Sequence, residues 1–597
     1  MDSDVDPRKE YAVRLANRRQ LVQHHERNDR FVAILRLVTA ICFFVTIWLS
    51  FWRDALPRWT PLIAVAIFFS LVLIHEQVIR AKRRALKAVR FYEDGFARIE
   101  DRWIGRGQST EIFTDESHLY AADLDIFGKG SLFELLCTAR MRGGEETLAN
   151  WLAGPANREE IIARQDAVRE LRNNIDLRED LTILGGELRS SIHPSVIIAW
   201  GNSPVIVDGH WIRLALIIPV VFALYTLWPL FTTLSAHPLW WLALGVEAAI
   251  GLLYRARVRK VIEGLNHPDR ELKLLSLILA RIEQERFKCA KLTALRRALD
   301  TDNVAASQQI KRFTRLMNTL NWYRNEFFAP FSLILLWRTQ FIFATEKWKR
   351  DCGPSIGPWI HAVGEIEALC ALAGFAYEHP SDPFPEIVEN GTMFEGEDLR
   401  HPLISFGQCV PNSVTLTDEL RLLVVTGSNM SGKSTLLRTV GINAVLAMAG
   451  APVRARRLRL SCVAIGATLR IQDSLQAGIS RFYAEIQRIH HIMELTKNQL
   501  PVLFLLDEVL HGTNSHDRAV GAEAIVRGLI GRGGIGLATT HDLALAKVAD
   551  ALAPRAINVH FEDDIVDGKI VFDYRMRPGV VRKSNALALM RAVGLEI

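Results

Sequence analysis

Apolar residues along this chain fall into three kinds of run. Four are long and almost uninterrupted, at residues 37–52, 59–74, 214–234 and 239–254. With their flanks, each approaches the ~20 residues needed to cross a bilayer core. They pair as two hairpins, joined by RDALPR (53–58) and TTLSAHP (232–238). A second kind recurs at helical spacing, as at Leu132, Leu135 and Leu136, and predicts packed α-helices. The third is short and ends in glycine or polar residues: LRLLVVTG (420–427), PVLFLLDEV (501–509) and GIGLATTHD (534–542). These predict buried strands. Alternating with helices, they predict a parallel sheet covered on both faces, with ligands at the strand C-terminal ends.

Composition sharpens the membrane reading. Of 597 residues, 49% are hydrophobic and 23% charged, and the mean hydropathy of +0.11 is slightly apolar for a soluble protein of this size. The excess sits in the four long runs. Trp48, Trp52, Trp59, Trp228, Trp240 and Trp241 cluster at their ends, as in an interfacial aromatic belt. Arg14, Arg18, Arg19, Arg27 and Arg30 precede the first hairpin, RAKRRALKAVR (80–90) follows it, and RARVRK (255–260) follows the second. Positive-inside orientation then puts both termini and all large soluble parts, the C-terminal strand-rich part included, in the cytoplasm, with the chain a multi-pass protein of the cell (inner) membrane. Glu247 interrupts the fourth run, so whether the second hairpin spans fully stays open. The stretch 327–343 carries Pro330, Arg338 and Gln340 and reads as a buried soluble helix. The first run follows a charged helical stretch and is not followed by a small-residue cleavage site, so no removable signal is expected. The net charge of +6 is a mild bias that a membrane explains as well as nucleic acid does. Seven cysteines without CxxC or metal spacing suggest buried small hydrophobes in a reducing compartment.

The strongest chemical signal is GSNMSGKST: Gly427, Ser428, Asn429, Met430, Ser431, Gly432, Lys433, Ser434 and Thr435. It follows one predicted strand and opens a helix. Glycines let the backbone N–H groups turn inward around phosphates, and the helix N-terminus adds positive potential. Lys433 can reach the β- and γ-phosphates and Ser434 can ligate Mg2+. At the end of a second strand, Asp507 is the candidate for the Mg2+ shell and Glu508 for the group that positions the attacking water. After a third, His541 can sense the γ-phosphate or that water. ATP and Mg2+ are the expected cofactors and ATP hydrolysis the expected reaction.

These motifs resemble the ATPase domain of the MutS mismatch-repair family. TGSNMSGKST (426–435) is similar to the family's TGPNMGGKST, DEVLHGTNSHD (507–517) to DE-x-GRGTS-x-x-D, and RKSNALALMRAVGL (582–595) to its terminal K-S-x-x-L-x-V-A-x-x-A-G-L pattern. SRFYAEI (480–486) resembles S-x-F-x-x-E, whose serine, here Ser480, reaches the nucleotide of the partner subunit. The resemblance therefore implies a composite site in a homodimer joined through the ATPase domains. Upstream, residues 130–200 and 320–404 resemble the family's helical core. The expected architecture is an α/β P-loop NTPase C-terminal domain, preceded by an all-α core domain and two transmembrane helical hairpins. Its expected segments are a basic N-terminal helix (1–36), hairpin one (37–76), a helical linker (77–129), core helices (130–210), hairpin two (211–256), further core helices (257–400) and the ATPase domain (401–597).

Departures from the family bear on function. Its mismatch reader uses an F-x-E motif; RFYEDGF (90–96) is a superficial match on a helix with no such domain around it. The lever and clamp that close on DNA belong between about Trp200 and Leu320, where the second hairpin lies instead. The family stacks an aromatic on adenine where this chain has CVPNSVTL (409–416), so Tyr574 is the candidate ring from the other side, and adenine over guanine stays open. The resemblance implies a role in DNA mismatch repair with DNA as a partner, although the readers are missing. The partners expected from the residues are a second copy and membrane lipid. A nucleotide-driven switch or scaffold at the membrane is the alternative. An ABC-type transporter is a weaker one, because no LSGGQ-like signature precedes Asp507.

Overall fold

The computed structural model describes residues 6–107, 111–115, 117–188, 194–233, 237–265, 268–301, 303–324, 328–428, 430–470, 481–510, 515–541, 543–566 and 569–581. The chain divides into two compact units, Met1–Ser109 with Tyr377–Ser381, and Thr110–Ala376 with Asp382–Ile597.

The first unit is a long helical hairpin, α1 (Pro7–Phe51) and α2 (Thr60–Ile99). Asp6 starts α1 by accepting the Arg8 N–H (3.0 Å), with Pro7 at the first helical position, where its missing N–H costs nothing. At the turn, Ser50 and Thr60 hydroxyls pair at 2.9 Å. A polar clasp closes the other end of the apolar stretch: Arg36 meets His75 Nδ1 at 2.7 Å, His75 Nε2 meets Asp29 at 2.8 Å, and Lys82 donates to Asp29 at 3.1 Å. Arg36 thus fixes Nδ1 as the acceptor and Nε2 as the donor. Between turn and clasp, Phe44, Trp52, Leu62, Phe69 and Leu73 are exposed. At the base, the rings of Tyr11, Tyr92, Phe96 and Tyr377 pack together. Beside them Arg98 makes two bonds to Glu378, at 2.7 and 2.6 Å, and the Glu378 side chain is fully buried.

The second unit opens with turns rather than helix over residues 117–131, although the sequence reads as a helical linker there. Core helices follow, among them Arg142–Ala153, Arg158–Arg172 and Ile175–Leu188. Next come α3 (Ile217–Thr233) and α4 (Trp240–Leu265). Their outward residues, including Ile218, Tyr225, Trp228, Trp241 and Leu253, are exposed. The stretch around Pro330 divides into Ala329–Ile334 and Trp337–Cys352, separated by Leu336 in a left-handed conformation (φ 43°). It leads into α5 (Ile356–Glu378), whose residues between Trp359 and Phe375 are almost all buried. A helix apolar on every side belongs in a core. Among the described residues, four stretches are long and apolar enough to cross a membrane: Pro7–Phe51, Thr60–Ile99, Trp211–Pro229 and Trp337–Glu378, the last largely buried. The helix α4 is not one of them, since it carries Glu247 and turns basic from Arg255.

The C-terminal part holds two sheets. Strands β1 (Glu386–Val388), β2 (Phe394–Leu399), β3 (Asn412–Leu416) and β5 (Arg457–Ser461) form a small sheet in the order β1-β5-β2-β3. Strands β4 (Leu422–Thr426), β6 (Ala464–Thr468), β7 (Val502–Leu506), β8 (Ile535–Thr540), β9 (Ala556–Val566) and β10 (Lys569–Pro578) form the larger, in the order β10-β9-β4-β8-β7-β6. All its pairings are parallel except β9 with β10. Every residue of β4, β7 and β8 is buried, the mark of strands covered on both faces. One cover is α6 (Lys433–Ala449), which also packs on Arg142–Ala153 and Arg158–Arg172. On the other, Ile489, Ile492, Val526, Leu529 and Val548 pack against Val424, Phe504 and Ala538. All seven cysteines are free, and Cys137, Cys352 and Cys370 are buried while Cys42 is exposed on the apolar flank of α1.

The Arg98–Glu378 pair generates a prediction. Removing one member of a buried pair strands the other charge and costs about 3–5 kcal/mol. Glu378→Ala should therefore speed amide exchange at the start of α1 by on the order of 100-fold or more. Arg8→Ala, which breaks an exposed pair with Glu100, should change it little. Equal exchange in the two variants would remove the pair from the account of how the hairpin base is held.

Candidate functional site

The three strands that end in polar residues lie side by side. Register pairs Leu422 with Gly536 and Leu503 with Ile535, so Thr426, Leu506 and Thr540 finish at one edge. The loops leaving that edge line a cavity of about 690 Å³, within the size range of nucleotide-sized ligand sites. Its wall includes Met430, Gly432, Lys433, Ser434, Thr435, Asp507, Glu508 and Tyr574.

The loop geometry accounts for its two glycines. A Cβ on Gly427 would stand 2.8 Å from Ser431 Oγ and 3.1 Å from the Phe561 carbonyl. Gly432 has φ 105°, and a Cβ there would meet the Tyr574 ring at 3.2 Å. Ser431 is buried and donates to the Ser428 carbonyl at 2.8 Å, which closes the turn. The Lys433 ammonium donates to the carbonyls of Gly427 (2.9 Å) and Ser428 (2.8 Å). Burial pushes it below the usual lysine range, against the pull of Glu508 and Asp507. The Ser428 hydroxyl is buried without a hydrogen-bond partner.

Across the cavity one hydroxyl organises the acidic pair. Thr539 Oγ1 accepts the Glu508 N–H at 3.0 Å and donates to the Asp507 carboxylate. Register sets this up, because Ala538 pairs with Leu506 and the next residue of each strand follows. The Glu508 carboxylate lies 3.6 Å from His541 Nδ1. Backbone strain gathers here: Met430 (φ 70°), Glu508 (φ 49°), Leu510 (φ 58°) and Tyr574 (φ 54°) are all left-handed without being glycine. Such conformations persist only where surrounding contacts enforce them. For Leu510 the contact is Glu485, the acidic residue of SRFYAEI, which is buried and accepts the Leu510 N–H at 2.7 Å.

The cavity's far wall comes from Leu399, Ile404, Gln408, Cys409, Val410 and Asn412. Asn412 donates to the Tyr574 carbonyl (2.9 Å) and accepts the Met576 N–H (2.7 Å), which fixes the strand that carries Tyr574. His401 anchors the loop: its Nδ1 accepts the Leu403 N–H at 3.3 Å, and burial with nearby Arg438 pushes its pKa down to about 4. Asn429, Ser480 and residues 582–595 lie outside the described residues. Sequence reasoning missed Thr539, Asn412 and His401. Thr539 stood in GIGLATTHD, two residues before His541, and Asn412 in CVPNSVTL, but neither pattern marks the residue's role.

Oxygen donors from Ser434 and Asp507 suit Mg2+. Among the described residues, no group of three or more His, Cys, Asp or Glu side chains could hold a metal unaided, so a cation here needs nucleotide phosphates to complete its shell.

Comparison with known proteins agrees with this geometry. Residues 423–596 match MutS domain V. The chain thus carries a segment of the MutS domain V type. It is 33% identical over 234 residues to the DNA mismatch repair protein MutS 2 of Halobacterium salinarum, covering 38% of this chain and 27% of that one. Over 248 residues it is 34% identical to the endonuclease MutS2 of Thermomicrobium roseum, covering 40% of this chain and 31% of that protein. A longer match, 25% identical over 512 residues, runs to the DNA mismatch repair protein MutS of Syntrophomonas wolfei and covers 78% of this chain and 58% of that one. The chain thus spans less than two thirds of these relatives, and the matched MutS domain V carries the cavity's Lys433, Ser434, Asp507 and Glu508.

Two predictions follow from this MutS-type site. Thr539→Val removes the hydroxyl that holds Asp507 and should weaken Mg2+-dependent binding of a fluorescent ATP analogue about 10-fold or more, with little effect when Mg2+ is chelated. An unchanged Mg2+ dependence would show that Asp507 is positioned without it. His401 is neutral in the fold, with a pKa near 4 against about 6.5 when unfolded. A depressed pKa contributes stability that is present above pH ~6.5 and lost as pH falls towards 4, on the order of 3 kcal/mol. His401→Gln should flatten denaturation midpoints across that window; an unchanged slope would assign acid sensitivity elsewhere.

Proposed function

We propose that this chain is a Mg2+-dependent ATPase that works as a dimer at a membrane surface. The observation that carries the reading is the cavity lined by Lys433, Ser434, Asp507 and Glu508, with His541 Nδ1 3.6 Å from the Glu508 carboxylate. The loop N–H groups and Lys433 bind the phosphates and neutralise their charge. Ser434 and Asp507 would hold Mg2+, which supplies further charge neutralisation when bound. Glu508, beside His541, orients a water for attack on the γ-phosphate and accepts its proton. The composite site formed with Ser480 of a second copy belongs to the same proposal and rests on family resemblance.

Membrane attachment is supported by the exposed apolar flanks of α1, α2 and α3, and by arginines and lysines at the ends of the hairpins. Each hairpin would enter the inner membrane from the cytoplasmic side. The relatives' names concern DNA mismatch repair, so duplex DNA is the other candidate partner. Against a clamp-type grip on DNA, the interval after Trp200 is occupied by α3, α4 and the short helices Pro268–Glu283, Ala290–Arg297 and Ala306–Leu320. A nucleotide-driven switch at the membrane fits that replacement better.

The test is hydrolysis by full-length protein in vesicles. Lys433→Ala should lower turnover by on the order of 100-fold or more. Glu508→Ala should keep ATP binding and trap ATP unhydrolysed. Normal turnover by either variant would overturn the assignment, and failure of the wild-type protein to float with vesicles would overturn the membrane part. A salt-sensitive shift of duplex DNA would favour the DNA reading.

A further inference from the structure

A second cavity, of about 760 Å³, lies away from the nucleotide site, between α4 and the segment that carries Tyr323, Leu336 and Arg338. One wall is a single stripe of α4: Leu244, Ala248, Gly251, Arg255 and Arg259 recur at three- and four-residue steps and so share a face. The stripe changes character along its length. Leu244, Ala248 and Leu252 make an apolar half, and Arg255 and Arg259 a cationic one. Arg338 adds a third guanidinium from the opposite wall, placed over the Tyr323 ring at 5.4 Å. Among the described residues, none of these three arginines forms an ion pair. Two carboxylates share the cavity. Glu263 lies at the exposed rim, one turn beyond Arg259. Glu247 lies about 12 Å back from Arg255 along the helix axis, in the apolar half, with both oxygens buried and unpartnered. Both leave the three arginines clustered.

We propose that this cleft binds an anionic membrane phospholipid, with the phosphate on Arg255, Arg259 and Arg338 and an acyl chain along Leu244, Ala248 and Leu252. This rests on the reading that the second hairpin meets a membrane. Charge complementarity supports it, because arginine forks match phosphate oxygens and are otherwise without carboxylate partners. Continuity supports it too: Leu252, in the apolar half of the cleft, is itself exposed at the helix surface, as an acyl chain leaving the cleft would require. The order of apolar and cationic groups along α4 is the order of chain and headgroup in a phospholipid. The cleft also accounts for α4 being too polar to cross a bilayer unaided.

The experiment uses full-length protein purified from vesicles of phosphatidylcholine with phosphatidylglycerol, and counts retained lipid by native mass spectrometry. Wild-type protein should keep phosphatidylglycerol in preference to phosphatidylcholine. The triple variant Arg255→Gln, Arg259→Gln, Arg338→Gln should lose that retention by on the order of 100-fold. The matching Arg→Lys triple variant, which keeps the charge, should lose far less, and the control Arg456→Gln, Arg457→Gln on the exposed side of the small sheet should behave as wild type. Equal retention by the Gln triple variant and wild type would overturn the proposal, as would equal retention of phosphatidylcholine. Displacement by inorganic phosphate would make the ligand a soluble phosphate and overturn the lipid assignment. Flotation is read separately: protein that never floats fails the membrane reading, while protein that floats without lipid selectivity fails this proposal alone.

Discussion

The arrangement of the C-terminal domain turns on one awkward charge. Lys433 is a buried residue, 5% exposed, and an ammonium out of water is costly unless it is bonded. Here two carbonyls of the preceding loop accept it, which they can do only because Gly427 and Gly432 let the loop curl back. Asp507 and Glu508 face it from across the cavity, and their pull offsets part of the burial cost. The acids must in turn be held apart from the lysine and presented to the cavity. That is the work of Thr539, a neutral hydroxyl able to accept from one residue's backbone and donate to its neighbour's carboxylate. A site so built is closed by hydrogen bonds yet keeps its cationic and anionic walls separate, leaving room for a phosphate chain between them.

The same lysine begins a helix that is unusual for its burial. Nearly every residue of α6 is buried, because it is sandwiched between the sheet and the core helices. An Asn443 in its middle is fully buried, and its amide donates to the Arg400 carbonyl (3.0 Å) and accepts the Arg454 N–H (2.9 Å). Farther out, Asp123 reaches from the turns before the core to accept Arg488 at 2.6 Å and the Leu469 N–H at 2.8 Å. Through α6, the phosphate loop is tied to the core helices Arg142–Ala153 and Arg158–Arg172.

How much of this was legible in the sequence depends on how local each feature is. Strand, glycine loop and helix are consecutive, so Gly427 to Thr435 could be read directly, and so could Asp507, Glu508 and His541 at strand ends. Thr539 could not, because its role comes from the register of β8 on β7, which no linear pattern records. Tyr574 was legible only as a guess from a missing aromatic; the contact with Gly432 depends on a hairpin strand pinned by Asn412. The turns at residues 117–131 carry apolar residues such as Leu124 and Ile126, which are fully buried, and apolar density without periodicity misleads towards helix. Glu247 read as a fault in an otherwise apolar run. In three dimensions it lies in a cleft whose other end is cationic.

That last point bears on how the parts can communicate. Interiors packed to crystal-like density do not deform smoothly; they shift between discrete arrangements. A change at Lys433 moves the start of α6, and α6 has no solvent-facing side into which to relax. The displacement must then be shared by Arg142–Ala153 and Arg158–Arg172, the helices packed against it. The Arg158–Arg172 helix in turn lies against Ala290–Arg297, and Lys291 there ties Glu160 and Glu365 together at 2.8 and 2.9 Å. Glu365 belongs to α5, a largely buried helix. A route of contiguous buried contacts thus leads from the phosphate loop into the centre of the helical core, through ion pairs that are largely shielded from solvent. Within the same unit, α4 packs on Trp337–Cys352 while its outward residues are exposed, so a small rigid movement of α4 has little packing to oppose it on that side.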